Sequence, residues 1–189
     1  MYQNLPNILS FIRILLTPLF ILFMIQDEPQ YKIFSLVLVF LVSITDFFDG
    51  YFARTYNLIT NFGKYLDPLA DKLFLLTVFT TLHIIYSDYI TLWMILLIGF
   101  RDILITILRN IFIKKGFSFN TSNLAKYKTI IQIISIHLIL FLIILNEYYI
   151  IKMNFNVIYY IMLVCTMVTI VSGLDYILYY VKLKKNEFQ

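Results

Sequence analysis

Apolar positions fall into six long runs, at about 7–25, 31–54, 61–85, 89–113, 124–145 and 155–181, each closed by a short polar break. A helix needs roughly 20 such residues to cross the hydrocarbon of a bilayer, and every run reaches that length. The breaks at 26–30 and 87–88 are tight turns. The one at 114–123 is the longest, with Gly116 as a natural helix stop, and 146–154 joins the last two runs. No repeat and no linker interrupts the series. The pattern predicts an all-α, polytopic membrane protein, a bundle of about six transmembrane helices forming a single domain over residues 1–189.

Composition supports this class: 61% of residues are hydrophobic and 14% charged, unlike a water-soluble domain. The first run carries Arg13 and lacks a small-residue cleavage site, so no removable signal is expected. Cys165 is the single cysteine, which excludes an intramolecular disulfide and reads as a small core residue. The basic residues orient the bundle. With alternate breaks on opposite sides, Arg13, Arg54, Lys64, Lys72, Arg101, Arg109, Lys114, Lys115, Lys126, Lys128, Lys182, Lys184 and Lys185 fall towards one side, and only Lys32 and Lys152 towards the other. The positive-inside rule then puts both termini and the 114–123 loop in the cytoplasm. The net charge of +4 reflects this topology and an anionic lipid or substrate, with no nucleic acid implied.

Four carboxylates alter the picture. Asp46, Asp49, Asp67 and Asp71 lie within 26 residues of otherwise apolar chain. A charge at the centre of a membrane helix costs about 2.5–3.5 kcal/mol or more, so four acids need compensation. Asp46 and Asp49 share a stripe with Gly50 and Ala53. Gly63, Asp67 and Asp71 recur at i, i+4 and i+8 on the next helix. The segment between them (Tyr56, Asn57, Thr60, Asn61) is polar enough to turn at the membrane surface. The reading is an antiparallel hairpin whose carboxylates face each other near one end. Such a cage of hard oxygen ligands suits Mg²⁺, Mn²⁺ or Ca²⁺, and two divalent ions would neutralise it, a common device in phosphoryl and pyrophosphate chemistry. The small residues allow close approach, and Arg54 offers phosphate a bidentate donor.

The pattern Asp46-x-x-Asp49-Gly50-x-x-Ala53-Arg54, eight residues, then Gly63-x-x-x-Asp67-x-x-x-Asp71 resembles the signature of the CDP-alcohol phosphatidyltransferase family. The stretches Asn4-Leu5-Pro6-Asn7-Ile8-Leu9-Ser10-x-x-Arg13, Asp67-Pro68-Leu69-Ala70-Asp71-Lys72-Leu73 and Leu124-Ala125-Lys126-x-Lys128-Thr129 are similar to its bacterial phosphatidylglycerophosphate-forming branch. The resemblance implies a bacterial cytoplasmic-membrane enzyme moving a phosphatidyl group from CDP-diacylglycerol to glycerol 3-phosphate, with two Mg²⁺ or Mn²⁺ ions as cofactors. It implies Asp46, Asp49, Asp67 and Asp71 as metal ligands, with Asp71 also drawing the proton from the attacking hydroxyl. Asn7, Ser10, Gly50, Ala53, Arg54, Thr60 and Gly63 would contact CDP-diacylglycerol. The resemblance also implies a homodimer.

Arg101, Arg109, Lys126 and Lys128 lie deeper than surface anchors need, and read as a pocket for the acceptor's phosphate. The bland alternative is that the lysines snorkel and that Arg101 and Asp102 form an internal ion pair. The span departs from the family in detail at Asp102, Thr106 and Asn110. His83 and His137 read as packing residues, and Asp175 as the partner of a nearby cation. Two other functions stay open: the same chemistry on inositol phosphate, serine or phosphatidylglycerol, and a divalent-cation transporter. The transporter explains the acids but not the fixed spacing of Gly50, Ala53, Arg54 and Gly63.

Overall fold

The computed structural model describes residues 5–55, 63–114, 123–152 and 154–186. At 5–7, 47–55, 64–65, 112–114, 123 and 179–186 it describes backbone alone. The predicted turn over 55–62, with Thr60, and most of the 114–123 loop lie outside these residues. Six helices account for almost everything described: α1 (Leu5–Ile25), α2 (Pro29–Thr55), α3 (Gly63–Ile85), α4 (Leu92–Lys114), α5 (Asn123–Glu147) and α6 (Asn156–Asn186). No strand occurs among the described residues. Among the described residues five helices are long and apolar enough to cross a membrane, with α4 the exception because Arg101, Asp102 and Arg109 interrupt it.

Exposure is inverted relative to a water-soluble protein. On α1 the outward residues are Ile8, Phe11, Leu15 and Leu22, while Ser10 and Arg13 are buried. The same holds on α6, where Tyr160, Val164, Met167 and Val171 face out and Thr166, Thr169 and Ser172 face in. Hydrocarbon rewards this arrangement, because polar side chains can be satisfied only against other helices.

The helices group into two compact units, Met1–Ser87 with Ile136–Asn154, and Asp88–Ser135 with Phe155–Gln189. In the first, α1 packs against both α2 and α3. Lys32 near the start of α2 reaches the end of α1, and Asp46 near the end of α2 reaches Arg13, so these helices run antiparallel. Ser10 meets Asp67, Arg13 meets Asp71 and Phe20 meets Phe74, so α1 and α3 run parallel. Lys32 is buried, and its ammonium donates to the carbonyls of Met24 (2.6 Å) and Gln26 (2.7 Å), which the end of α1 leaves without helical partners. Lys32 is therefore a helix cap as well as a charge on the less basic side. His137 sets its ring edge-on to Phe40, 6.1 Å between centroids, as a packing residue would.

α5 ends in a Schellman turn. The Ile150 amide donates to Leu145 and the Tyr149 amide to Asn146, with Tyr149 at φ 56°. In the second unit α4 and α6 run parallel, with Tyr89 stacked on Phe155 at one end and Arg101 bonded to Ser172 further along. The first half of α5 runs antiparallel to α6, joined through Gln132 to Thr169 and Ser135 to Cys165. Cys165 is fully buried, as a core residue should be.

Candidate active site

Three of the four acids converge on two residues of α1, Ser10 and Arg13. Arg13 has only 2% of its side chain exposed and forms ion pairs with Asp46 of α2, at 3.2 Å, and with Asp71 of α3. One turn earlier, the buried Ser10 hydroxyl donates to the Asp67 carboxylate at 2.5 Å. Ser10 and Arg13 are three apart and so share a face of α1. Asp67 and Asp71, four apart, share a face of α3, and the parallel run of the two helices brings the pairs into register. Pro68 falls inside α3 between the two acids.

The sequence predicts a hairpin with its carboxylates facing each other, and to the described acids α1 adds the Arg13 guanidinium. The physical reason is repulsion: carboxylates gathered in a low dielectric need a cation close by. Arg13 is thus a site residue that the acid motif alone does not reveal. Its signal was an arginine well inside an apolar run, where a charge needs a partner.

Asp49, Gly50, Ala53 and Arg54 lie on the last turns of α2, and Asn7 on the first turn of α1, with their side chains outside the description. Gly63 is buried at the start of α3. Among the described residues no three His, Cys, Asp or Glu side chains close into one metal-holding group. The donor set itself fits a hard divalent cation: it is all oxygen, and Asp46 and Asp71 keep 41% and 37% of their side chains exposed beside Arg13.

The basic residues predicted for the acceptor belong to the second unit. Arg101 and Asp102 do pair, at 3.2 Å, and the buried Lys128 donates to both Asp102 oxygens at 2.7 Å. Arg101 also donates to Ser172 at 2.6 Å and lies over the Tyr176 ring, 5.7 Å from its centroid. Two cations share one anion, so the cluster keeps a net positive charge. Arg109 and Lys126 are exposed. Lys126 opens α5 two residues before Lys128 and points away from that cluster's buried face.

Comparison with known proteins decides the family. The model of the CDP-alcohol phosphatidyltransferases matches residues 3–172. The chain belongs to that family. A CDP-diacylglycerol–glycerol-3-phosphate 3-phosphatidyltransferase of Rickettsia typhi is 42% identical over 139 residues, covering 73% of this chain and 76% of that one. Proteins of the same name from Bacillus subtilis and Aquifex aeolicus are 37% and 38% identical, covering 72% and 71% of this chain and 76% and 74% of theirs. As a CDP-alcohol phosphatidyltransferase, the protein is a multi-pass membrane enzyme of a family whose catalysis depends on divalent metal.

Proposed function

We propose that this phosphatidyltransferase moves the phosphatidyl group of CDP-diacylglycerol to glycerol 3-phosphate, forming phosphatidylglycerol phosphate and CMP. The observation that carries the reading is the meeting of Asp46, Asp67 and Asp71 around Ser10 and Arg13 in an otherwise apolar helical unit. The activity for which these relatives are named supports glycerol 3-phosphate as acceptor. The family match runs through both compact units, which supports one catalytic domain.

Asp46, Asp49, Asp67 and Asp71 would hold two ions, Mg²⁺ or Mn²⁺. When bound, these would supply Lewis-acid polarisation of the pyrophosphate and neutralise charge on departing CMP. Ser10 fixes the Asp67 carboxylate by its hydrogen bond, and Arg13 holds Asp46 and Asp71 at one locus. Asp71 takes the proton from the acceptor hydroxyl as it attacks phosphorus in line. Asn7, Ser10, Gly50, Ala53, Arg54, Thr60 and Gly63 line the path of the nucleotide headgroup. Arg101, Arg109, Lys126 and Lys128 hold the acceptor phosphate, with the charge of Lys128 balanced by Asp102. No covalent enzyme intermediate is needed. The excess of basic residues on one side supports a topology with both termini and the acids on the cytoplasmic face of a bacterial inner membrane, and we take the working assembly to be a homodimer.

The test is incubation of purified protein with CDP-diacylglycerol, Mg²⁺ and a panel of labelled alcohols. CMP release that requires glycerol 3-phosphate supports the reading. Release driven by serine, inositol phosphate or phosphatidylglycerol reassigns the acceptor, and metal flux without CMP release points to a transporter.

A further inference from the structure

The guanidinium of Arg101 is held on more sides than an ion pair requires. Asp102 takes one terminal nitrogen at 3.2 Å and Ser172 takes the other at 2.6 Å. The Arg101 Cζ lies 5.7 Å from the Tyr176 ring centroid, within cation–π range. Gly173 completes the enclosure: a Cβ there would stand 2.9 Å from Arg101 Cγ and 3.6 Å from its Nε. Real Cβ atoms do not approach so closely, and the clash falls on the middle of the side chain, so any larger residue must push the whole arm aside. Ser172, Gly173 and Tyr176 are all buried, and none has a role in the motif of acids. Gly173 and Tyr176 also lie beyond residues 3–172, the part matching the family. Arg101 Nε, itself buried, has no hydrogen-bond partner among the described residues.

We infer that Ser172, Gly173 and Tyr176 of α6 are positioning residues that fix Arg101 for the acceptor's phosphate. The inference rests on the proposed role of Arg101 in binding that phosphate. A long arginine side chain loses much rotamer freedom when it is ordered, and a seat that orders it beforehand removes that loss from substrate binding. Bidentate recognition of phosphate is also strict about the plane of the fork. Displacing the arm therefore weakens acceptor binding while leaving the handling of the nucleotide lipid alone.

The experiment measures CMP release by purified S172A, G173A, Y176L and R101A in detergent–lipid micelles, varying each substrate separately, with a melting temperature for each variant. S172A and G173A are expected to raise KM for glycerol 3-phosphate about tenfold, the scale of one charge-assisted hydrogen bond. KM for CDP-diacylglycerol stays within about twofold. Y176L gives a smaller rise in the same direction. If R101A leaves KM for glycerol 3-phosphate unchanged, the assignment of Arg101 itself fails. If R101A raises it but S172A and G173A, folded, do not, the seat is overturned and Arg101 stands. A rise in KM for both substrates, or a fall in melting temperature with KM untouched, shows a merely structural contact and also overturns it. S172A removes a single oxygen and carries the test should G173A not fold.

Discussion

Arg13 converts a set of acids into a site. Its partners come from two different helices, and both ion pairs depend on a side chain almost wholly out of contact with solvent. Removing the arginine leaves two acids without their cation, and because Asp46 and Asp71 keep 41% and 37% of their side chains exposed, solvent screening holds the cost to about 1–3 kcal/mol. Arg13→Met is therefore expected to lower the melting temperature in detergent more than any substitution among the lipid-facing residues of α1, such as Leu15→Ala. Equal melting temperatures for the two would contradict the geometry. At this scale the sequence was legible where chemistry repeats at helical spacing: Asp67 and Asp71 do share a face. It was not legible where the partner comes from a distant helix, since nothing local links Arg13 to Asp71 or Arg101 to Ser172. Those meetings are products of packing.

Individual helices were the most legible level. The apolar run at 61–85 became Gly63–Ile85 and that at 7–25 became Leu5–Ile25. The last apolar run ends at about 181, yet α6 continues to Asn186. Lys182, Lys184 and Lys185 end the hydrophobic signal without ending the helix, because cations are favourable at a helix C-terminus. Two features of helix ends lead to measurements. Lys32→Met would leave the carbonyls of Met24 in α1 and of Gln26 just beyond it without this donor and is expected to cost about 2 kcal/mol, read as lower stability in a detergent unfolding series. Tyr149 holds a left-handed conformation that glycine adopts freely, so Tyr149→Gly is expected to add about 1 kcal/mol of stability. No sequence rule would have picked a tyrosine for that position. The Schellman hydrogen bonds impose it, and Tyr149 is 95% exposed, so the change loses no packing and only the greater freedom of glycine in the unfolded chain works against it.

For the molecule as a whole, hydrophobic length and charge asymmetry specify the class. The partition into two compact units left no mark in the sequence, since α5 passes through both without a break in its apolar run. The proposed orientation can be measured. With the buried Cys165 changed to alanine, a cysteine placed at the C-terminus should react with a membrane-impermeant maleimide only after the cells are permeabilised. Labelling of intact cells would reverse the topology. The central claim is that the acids brought together by α1, α2 and α3 activate the nucleotide lipid. Its most direct measure is Mg²⁺-dependent release of CMP by Asp67→Asn in protein that remains folded. The account predicts a loss of at least about 10³-fold that added glycerol 3-phosphate does not restore. Turnover within about threefold of the unsubstituted enzyme, well short of the change expected from losing an essential charged group, would contradict it.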